Sequence, residues 1–148
     1  MPRYPDTSKV DKPPVLEPDN YIVKLDEIRE KNKDGDYYRD KNGRGYILLF
    51  WKVKGHDVQT LLDMVYPDAD SNCTEDYGRL LRIREIVSAL NAPIEGGDFS
   101  DLVGKTCRAS VIIEPYKGED RNRIAHYEAL ENANDSYSDN KEDDDLPF

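Results

Sequence analysis

Residues 45–54 alternate more strictly than any other stretch of this chain. Ile47, Leu49, Trp51 and Val53 hold one parity; Tyr46, Leu48, Phe50, Lys52 and Lys54 hold the other. Successive strand residues point to opposite faces of a sheet. The pattern therefore specifies a strand with one apolar face and one face of rings and cations. Its apolar face has to be buried against neighbouring strands, which makes a sheet the frame of the fold.

Other elements follow from the same reading. Residues 21–28 alternate well enough for a first strand, with Tyr21, Val23 and Leu25 on one face and a bulge bringing Ile28 inward. Residues 31–44 are polar, contain Gly35 and Gly43, and are expected to form a long loop. Gly55, His56 and Asp57 mark a turn, and residues 58–66 a third strand. Thr74 is the expected N-cap of a helix, with Glu75 and Asp76 in its first turn. Leu80, Ile83, Val87 and Leu90 make one apolar stripe, Arg79, Arg82 and Arg84 point outward, and Asn91 and Pro93 end the helix. Residues 105–114 form a fourth strand with Cys107, Ala109, Val111 and Ile113 inward. Residues 115–122 are a turn and residues 123–130 the last strand.

Five strands with one helix between the third and fourth is the order of the five-stranded Greek-key barrel of many oligonucleotide binders, the OB-fold. The expected class is thus mainly β, with an open α+β sheet as the alternative. Five of the nine prolines fall in residues 1–18, which predicts an extended arm without sheet partners. Residues 131–148 carry seven acids against Lys141 alone, six of the chain's ten net negative charges. A like-charged, Asn- and Ser-rich segment buries too little apolar area to offset its ordering entropy, so disorder is expected there. The predicted organisation is an arm at 1–18, a packed domain at 19–131 and an acidic tail at 132–148.

Chemistry is sparse. His56, His126, Cys73 and Cys107 are isolated, so neither a metal site nor a nucleophile–base pair is expected. His126 shares the parity of Ile124 and Leu130 and reads as a partly buried structural residue. No long glycine-rich phosphate loop occurs. No cofactor and no enzyme activity are expected. No apolar run approaches the roughly 18 residues of a membrane helix, no signal pattern opens the chain, and two cysteines cannot build a disulfide scaffold. These features suggest a soluble cytoplasmic protein.

The positive signal lies in residues 41–56, the longest acid-free stretch. It holds Lys41, Arg44, Lys52 and Lys54 with Tyr46, Phe50 and Trp51. Unpaired bases stack on rings at roughly 1–3 kcal/mol per base while phosphates seek Lys and Arg. Tyr46, Phe50, Lys52 and Lys54 share a strand face, whereas the parity of Trp51 places it with the core residues. Alternatively, Leu48 and Phe50 are core and the lysines a solvated edge. Lys105 and Arg108 lie in a second acid-free run, Tyr116, Lys117, Arg121 and Arg123 in the last turn, and Tyr37 and Tyr38 in the first loop. Each of these could extend a groove for a single strand. The near-balanced body requires its cations to cluster in space for binding.

The most specific feature is the terminus: Asp143, Asp144, Asp145, Leu146, Pro147 and Phe148. An acidic string with one apolar anchor beside a free carboxylate fits a small apolar pocket flanked by Arg or Lys. This terminus closely resembles that of bacterial single-stranded DNA-binding proteins. The body resembles phage-encoded single-stranded DNA-binding proteins at residues 21–25, at residues 46–54, at Gly104 and Lys105, and at residues 116–118. The resemblance implies an OB barrel that binds single-stranded DNA and a tip that docks replication, recombination or repair enzymes, in the bacterial host's cytoplasm. A homodimer is compatible with that reading. The competing reading is an acidic interaction protein that mimics the host tail to capture a host factor without touching DNA.

Overall fold

The computed structural model describes residues 2–8 and 15–130. The acidic tail and its tip at Asp143, Asp144, Asp145, Leu146, Pro147 and Phe148 lie outside the described residues.

The described residues are mainly β: five antiparallel strands form one sheet, accompanied by one α-helix. The strands are β1 (Asp19–Arg29), β2 (Ile47–Val53), β3 (His56–Val65), β4 (Thr106–Tyr116) and β5 (Glu119–Glu128), and the helix is α1 (Tyr77–Ala89). Their order in the sheet is β3-β2-β1-β4-β5. Among the described residues no backbone ladder joins the two edges, so the sheet is open in its hydrogen bonding.

The alternation of β2 is realised as read: Ile47, Leu49, Trp51 and Val53 are buried, while Leu48 and Phe50 are half-buried on the other face. Trp51 is fully buried against Tyr127, with ring centroids 5.1 Å apart. Its indole N–H has no hydrogen-bond partner among the described residues. The expected bulge in β1 is present. Leu25 faces Trp51 and Glu27 faces Phe50, so Asp26 is the extra residue and Ile28 turns toward the core.

Several details depart from the sequence reading. The β2–β3 turn is Lys54–Gly55, with Gly55 at φ 81°, and β3 begins at His56. Thr74 caps nothing: a 3-10 turn, Thr74–Asp76, precedes α1, and neither element has a side-chain cap. The deepest residues are Ile86 and Ala89 in the helix and Leu90 at its C-cap, whereas Leu80, Ile83 and Val87 are only partly buried. Asn91 does end the helix, at φ 58°. The long turn expected at 115–122 is instead a tight hairpin, Lys117 at φ 51° and Gly118 at φ 83°, in the conformation that matches strand twist. A bulge at Ala125 shifts the register, since Ser110 faces His126 but Val111 faces Ile124. His126 is therefore 76% exposed instead of partly buried, and Tyr127 takes the inward place. The arm is not wholly free either, because Leu16 is 4% exposed and held by Asn122.

Side chains join the two sheet edges. Arg82 of α1, read as outward-pointing, donates from Nε to Asp63 on β3 at 3.1 Å, with Nη2 paired to the same carboxylate at 2.8 Å, and from Nη2 to the Ile124 carbonyl on β5 at 2.6 Å. It also donates to the Ala125 carbonyl at 3.0 Å. Tyr127 Oη donates to the same Asp63 at 2.7 Å. Burial, with the Asp63 carboxylate beside it, pushes the Tyr127 hydroxyl well above its ordinary pKa, so it remains a donor. The helix thus sits across the gap between β3 and β5 and latches it.

Candidate nucleic-acid interface

The face of β2 and β3 opposite the core carries an apolar row. Leu48 is paired with Met64 and Phe50 with Leu62. Leu62 and Met64 are 52% and 43% exposed. A solvated sheet face is normally polar, and clustered exposed apolar side chains mark a binding surface. Cations border the row: the Arg29 guanidinium lies 4.5 Å from the Phe50 ring centroid, and Lys52 is exposed, 3.9 Å from Asp26.

The β4–β5 hairpin forms the opposite wall. Between the walls lies a groove of about 1010 Å³. Tyr46, Leu48, Leu62 and Met64 line one side; Tyr116, Arg121, Asn122 and Arg123 line the other. Arg121 stacks 3.8 Å over the half-exposed Tyr116 ring, with Lys117 at 5.2 Å. Arg121 and Arg123 each approach Glu114, at 3.8 and 3.9 Å. Both arginines are about half exposed, and such loose surface pairs are worth roughly 0–1 kcal/mol, which a phosphate can displace. Asp63, Glu114 and Asp120 also line the groove, so its two arginines, both on the hairpin side, stand among three carboxylates.

The loop after β1 is ordered by its own short polar side chains. Asn32 Oδ1 accepts the Asp34 and Asp36 N–H groups, and Asp40 Oδ1 accepts those of Asn42 and Arg44. The Arg44 N–H is the main reason Asp40 sits below the usual carboxylate range. The loop delivers Tyr38, which stacks on Tyr46 at 5.5 Å, and Tyr46 in turn meets Tyr66 edge-on at 6.3 Å. Arg79 lies 4.0 Å from the Tyr66 ring. Burial raises the Tyr66 hydroxyl pKa, and its donation to Asp40 at 3.0 Å raises it further.

Asp76, 1% exposed, ties this assembly together. It accepts the Asp70 N–H at 2.8 Å, Arg44 at 3.2 and 3.3 Å, and Arg79 at 2.9 Å. The Asp70 N–H first, then the Arg44 guanidinium, hold its pKa at about 2, below the ordinary 3.8.

The structure therefore gathers Tyr46, Tyr116, Arg121 and Arg123 around one groove, with Tyr38 and Lys117 beside it. Phe50 and Lys52 lie on the continuing β2 face, and Lys54 at its end in the turn. Tyr37 is exposed, with Lys31 Nζ 4.7 Å from its ring centroid. Four expected residues lie elsewhere. Trp51 is in the core, because its parity is that of Leu49 and Val53. Arg44 is turned onto Asp76, since a buried carboxylate attracts the nearest fork. Lys105 lines a separate groove of about 670 Å³ beside α1, with Leu80, Ile83, Val87 and Phe99. Arg108 lies on β4 with Glu128 at 3.9 Å.

Sequence reading missed Leu62, Met64, Tyr66, Arg79 and Arg29. A signal existed for the first two: Leu61 and Val65 hold one parity of β3 and Leu62 and Met64 the other, and a one-sided strand does not need apolar residues on both. Among the described residues no group of three or more His, Cys, Asp or Glu is placed to hold a metal ion. Nor does any described helix have the length and apolarity to cross a membrane. No family model matches the chain, and no curated protein matches it.

Proposed function

We propose that this chain is a single-stranded DNA-binding protein without catalytic activity, in which residues 19–131 grip the strand and the acidic tip recruits replication, recombination or repair enzymes. The observation that carries the reading is the groove itself. A tyrosine from the loop before β2, a tyrosine from the end of β4, two arginines and a side of exposed apolar residues converge along one channel. Bases stack on rings and apolar side chains, and phosphates seek the guanidinium side. Stacking is sequence-tolerant, which fits a binder of arbitrary single strands.

The finer fold reading is the OB barrel. Pairing the edges β3 and β5 would close the sheet into a five-stranded barrel, and the Arg82–Asp63–Tyr127 latch draws those edges together. In such barrels the second and third strands and the loops after the first and fourth strands bind oligonucleotides. The groove, the tyrosine-bearing loop at 30–46 and the hairpin at 117–118 occupy those places.

The test is fluorescence anisotropy of a labelled oligo-dT titrated with the full chain at several salt concentrations. Labelled oligonucleotide is preferable to intrinsic fluorescence, because Trp51 is buried away from the groove. Saturable binding that weakens with salt supports the reading. A flat response refutes it and favours the interaction-protein alternative, for which exposed Leu62 and Met64 would be a protein-docking patch.

A further inference from the structure

The proline-rich N-terminal arm reaches the sheet at a place that matters for the groove. Leu16 N–H donates to Asn122 Oδ1 at 2.8 Å, and Asn122 Nδ2 donates back to the Leu16 carbonyl at 2.9 Å. The same Nδ2 lies 3.4 Å from the Ile112 carbonyl. Tyr21 Oη donates to the Glu17 carbonyl at 2.7 Å, fixing the other end of this short stretch. Leu16 itself is buried in the core cluster. Residues 15–17 are thus a strap fastened across β5, not the start of a free arm. A reciprocal amide clasp of this kind mimics a strand pair and fixes the strap's register on the sheet.

Register decides what the next side chain does. With Leu16 turned into the core, its neighbour Val15 lies along the groove, among Tyr116, Arg121 and Arg123 on the hairpin side and Leu62 and Met64 across it. Val15 is half-buried and makes no core contact of the kind Leu16 makes. We infer that the Val15–Leu16 strap is a wall of the DNA-binding groove, with Asn122 as the positioning residue that holds it there. The inference rests on the proposed single-strand binding and adds the N-terminal arm to that surface.

A purely structural strap and a groove wall respond differently to charge at position 15. The experiment compares Val15→Glu, Val15→Lys and Asn122→Ala in the full chain, by oligo-dT anisotropy at low and moderate salt and by thermal unfolding. At low salt Val15→Glu should weaken binding about threefold to tenfold and Val15→Lys should tighten it by a smaller factor, since a charge within several ångströms of a phosphate acts through partly screened solvent. Both effects should shrink as salt rises, and the two variants should share one unfolding temperature. Asn122→Ala should weaken binding and also lower the unfolding temperature, because Leu16 loses its clasp.

Opposite affinity shifts at equal stability support the inference. Salt-sensitive binding by the parent with no change in either charge variant overturns it and leaves the DNA reading standing. Equal losses in both charge variants, tracking stability, also overturn it, by showing a strap that only braces the fold. Absence of binding by the parent overturns the DNA reading, and this inference falls with it.

Discussion

Replacing Arg82 with alanine tests how the two open edges of the sheet are held. The guanidinium meets Asp63 at 2.8 Å and the Ile124 and Ala125 carbonyls at 2.6 and 3.0 Å, and it stacks 4.8 Å from the Tyr127 ring centroid. The Arg82 side chain is 21% exposed and that of Asp63 16%. Removing one partner of a buried ion pair costs roughly 3–5 kcal/mol, mostly because the other charge is left stranded. Residual exposure and the surviving Tyr127 hydroxyl, which still donates to Asp63, reduce that to about 2–4 kcal/mol. At about 4 °C per kcal/mol for a domain of this size, the midpoint should fall by roughly 8–16 °C. Thermal and urea unfolding followed by Trp51 fluorescence are the assays, since Trp51 packs against the same Tyr127. Arg82→Lys keeps the charge but not the fork, and should fall between parent and alanine. A double-mutant cycle with Asp63→Asn should give a coupling of about 1–3 kcal/mol. A loss under about 1 kcal/mol, with no coupling to Asp63, would falsify the view that this side chain latches the edges.

Three other outcomes are expected. Tyr46→Ala and Tyr116→Ala should each lose about 1–3 kcal/mol of oligonucleotide affinity, the value of one stacked base, with little change in the salt slope; unaltered affinity in both would place the strand elsewhere. Asp76 has a folded pKa of about 2 against an ordinary 3.8, so its stabilisation is fully present above about pH 4 and is lost as pH falls toward 2. Asp76→Asn should flatten the stability profile across that window, and an unchanged acid profile would contradict the assignment. Removing residues 131–148 takes away six net negative charges and should tighten DNA binding at low salt, where screening is weakest, while deletion of Phe148 alone should leave DNA affinity unchanged and abolish capture of a repair enzyme. Equal DNA affinity with and without the tail at low salt would rule out competition between tail and strand.

Local rules carried the reading a long way. Period-two alternation in β2 determined which of its residues are buried, because a one-residue slip would expose Trp51 and Leu49. The same alternation, broken at Asp26, made the β1 bulge legible. Strand number, their order along the chain and the helix between β3 and β4 also follow from pattern and turn residues. Of the residues around the groove, the acid-free stretch pointed to Tyr46 and the mixed turn to Tyr116, Arg121 and Arg123.

Tertiary structure decided everything that depends on distance between segments remote in sequence. Arg44, Arg79 and Arg82 look alike on paper, yet the first two converge on Asp76 and the third spans β3 and β5. A bulge at Ala125 exchanged the roles of His126 and Tyr127, because one inserted residue inverts the facing of all that follow. Asn122 looked like a turn residue and instead clasps Leu16 from 106 positions away. The alternation of a strand is set by its own backbone and can be read locally. Which cation finds which carboxylate, and which wall faces which, is set by how the sheet curls, and that is encoded only in the packing of the whole chain.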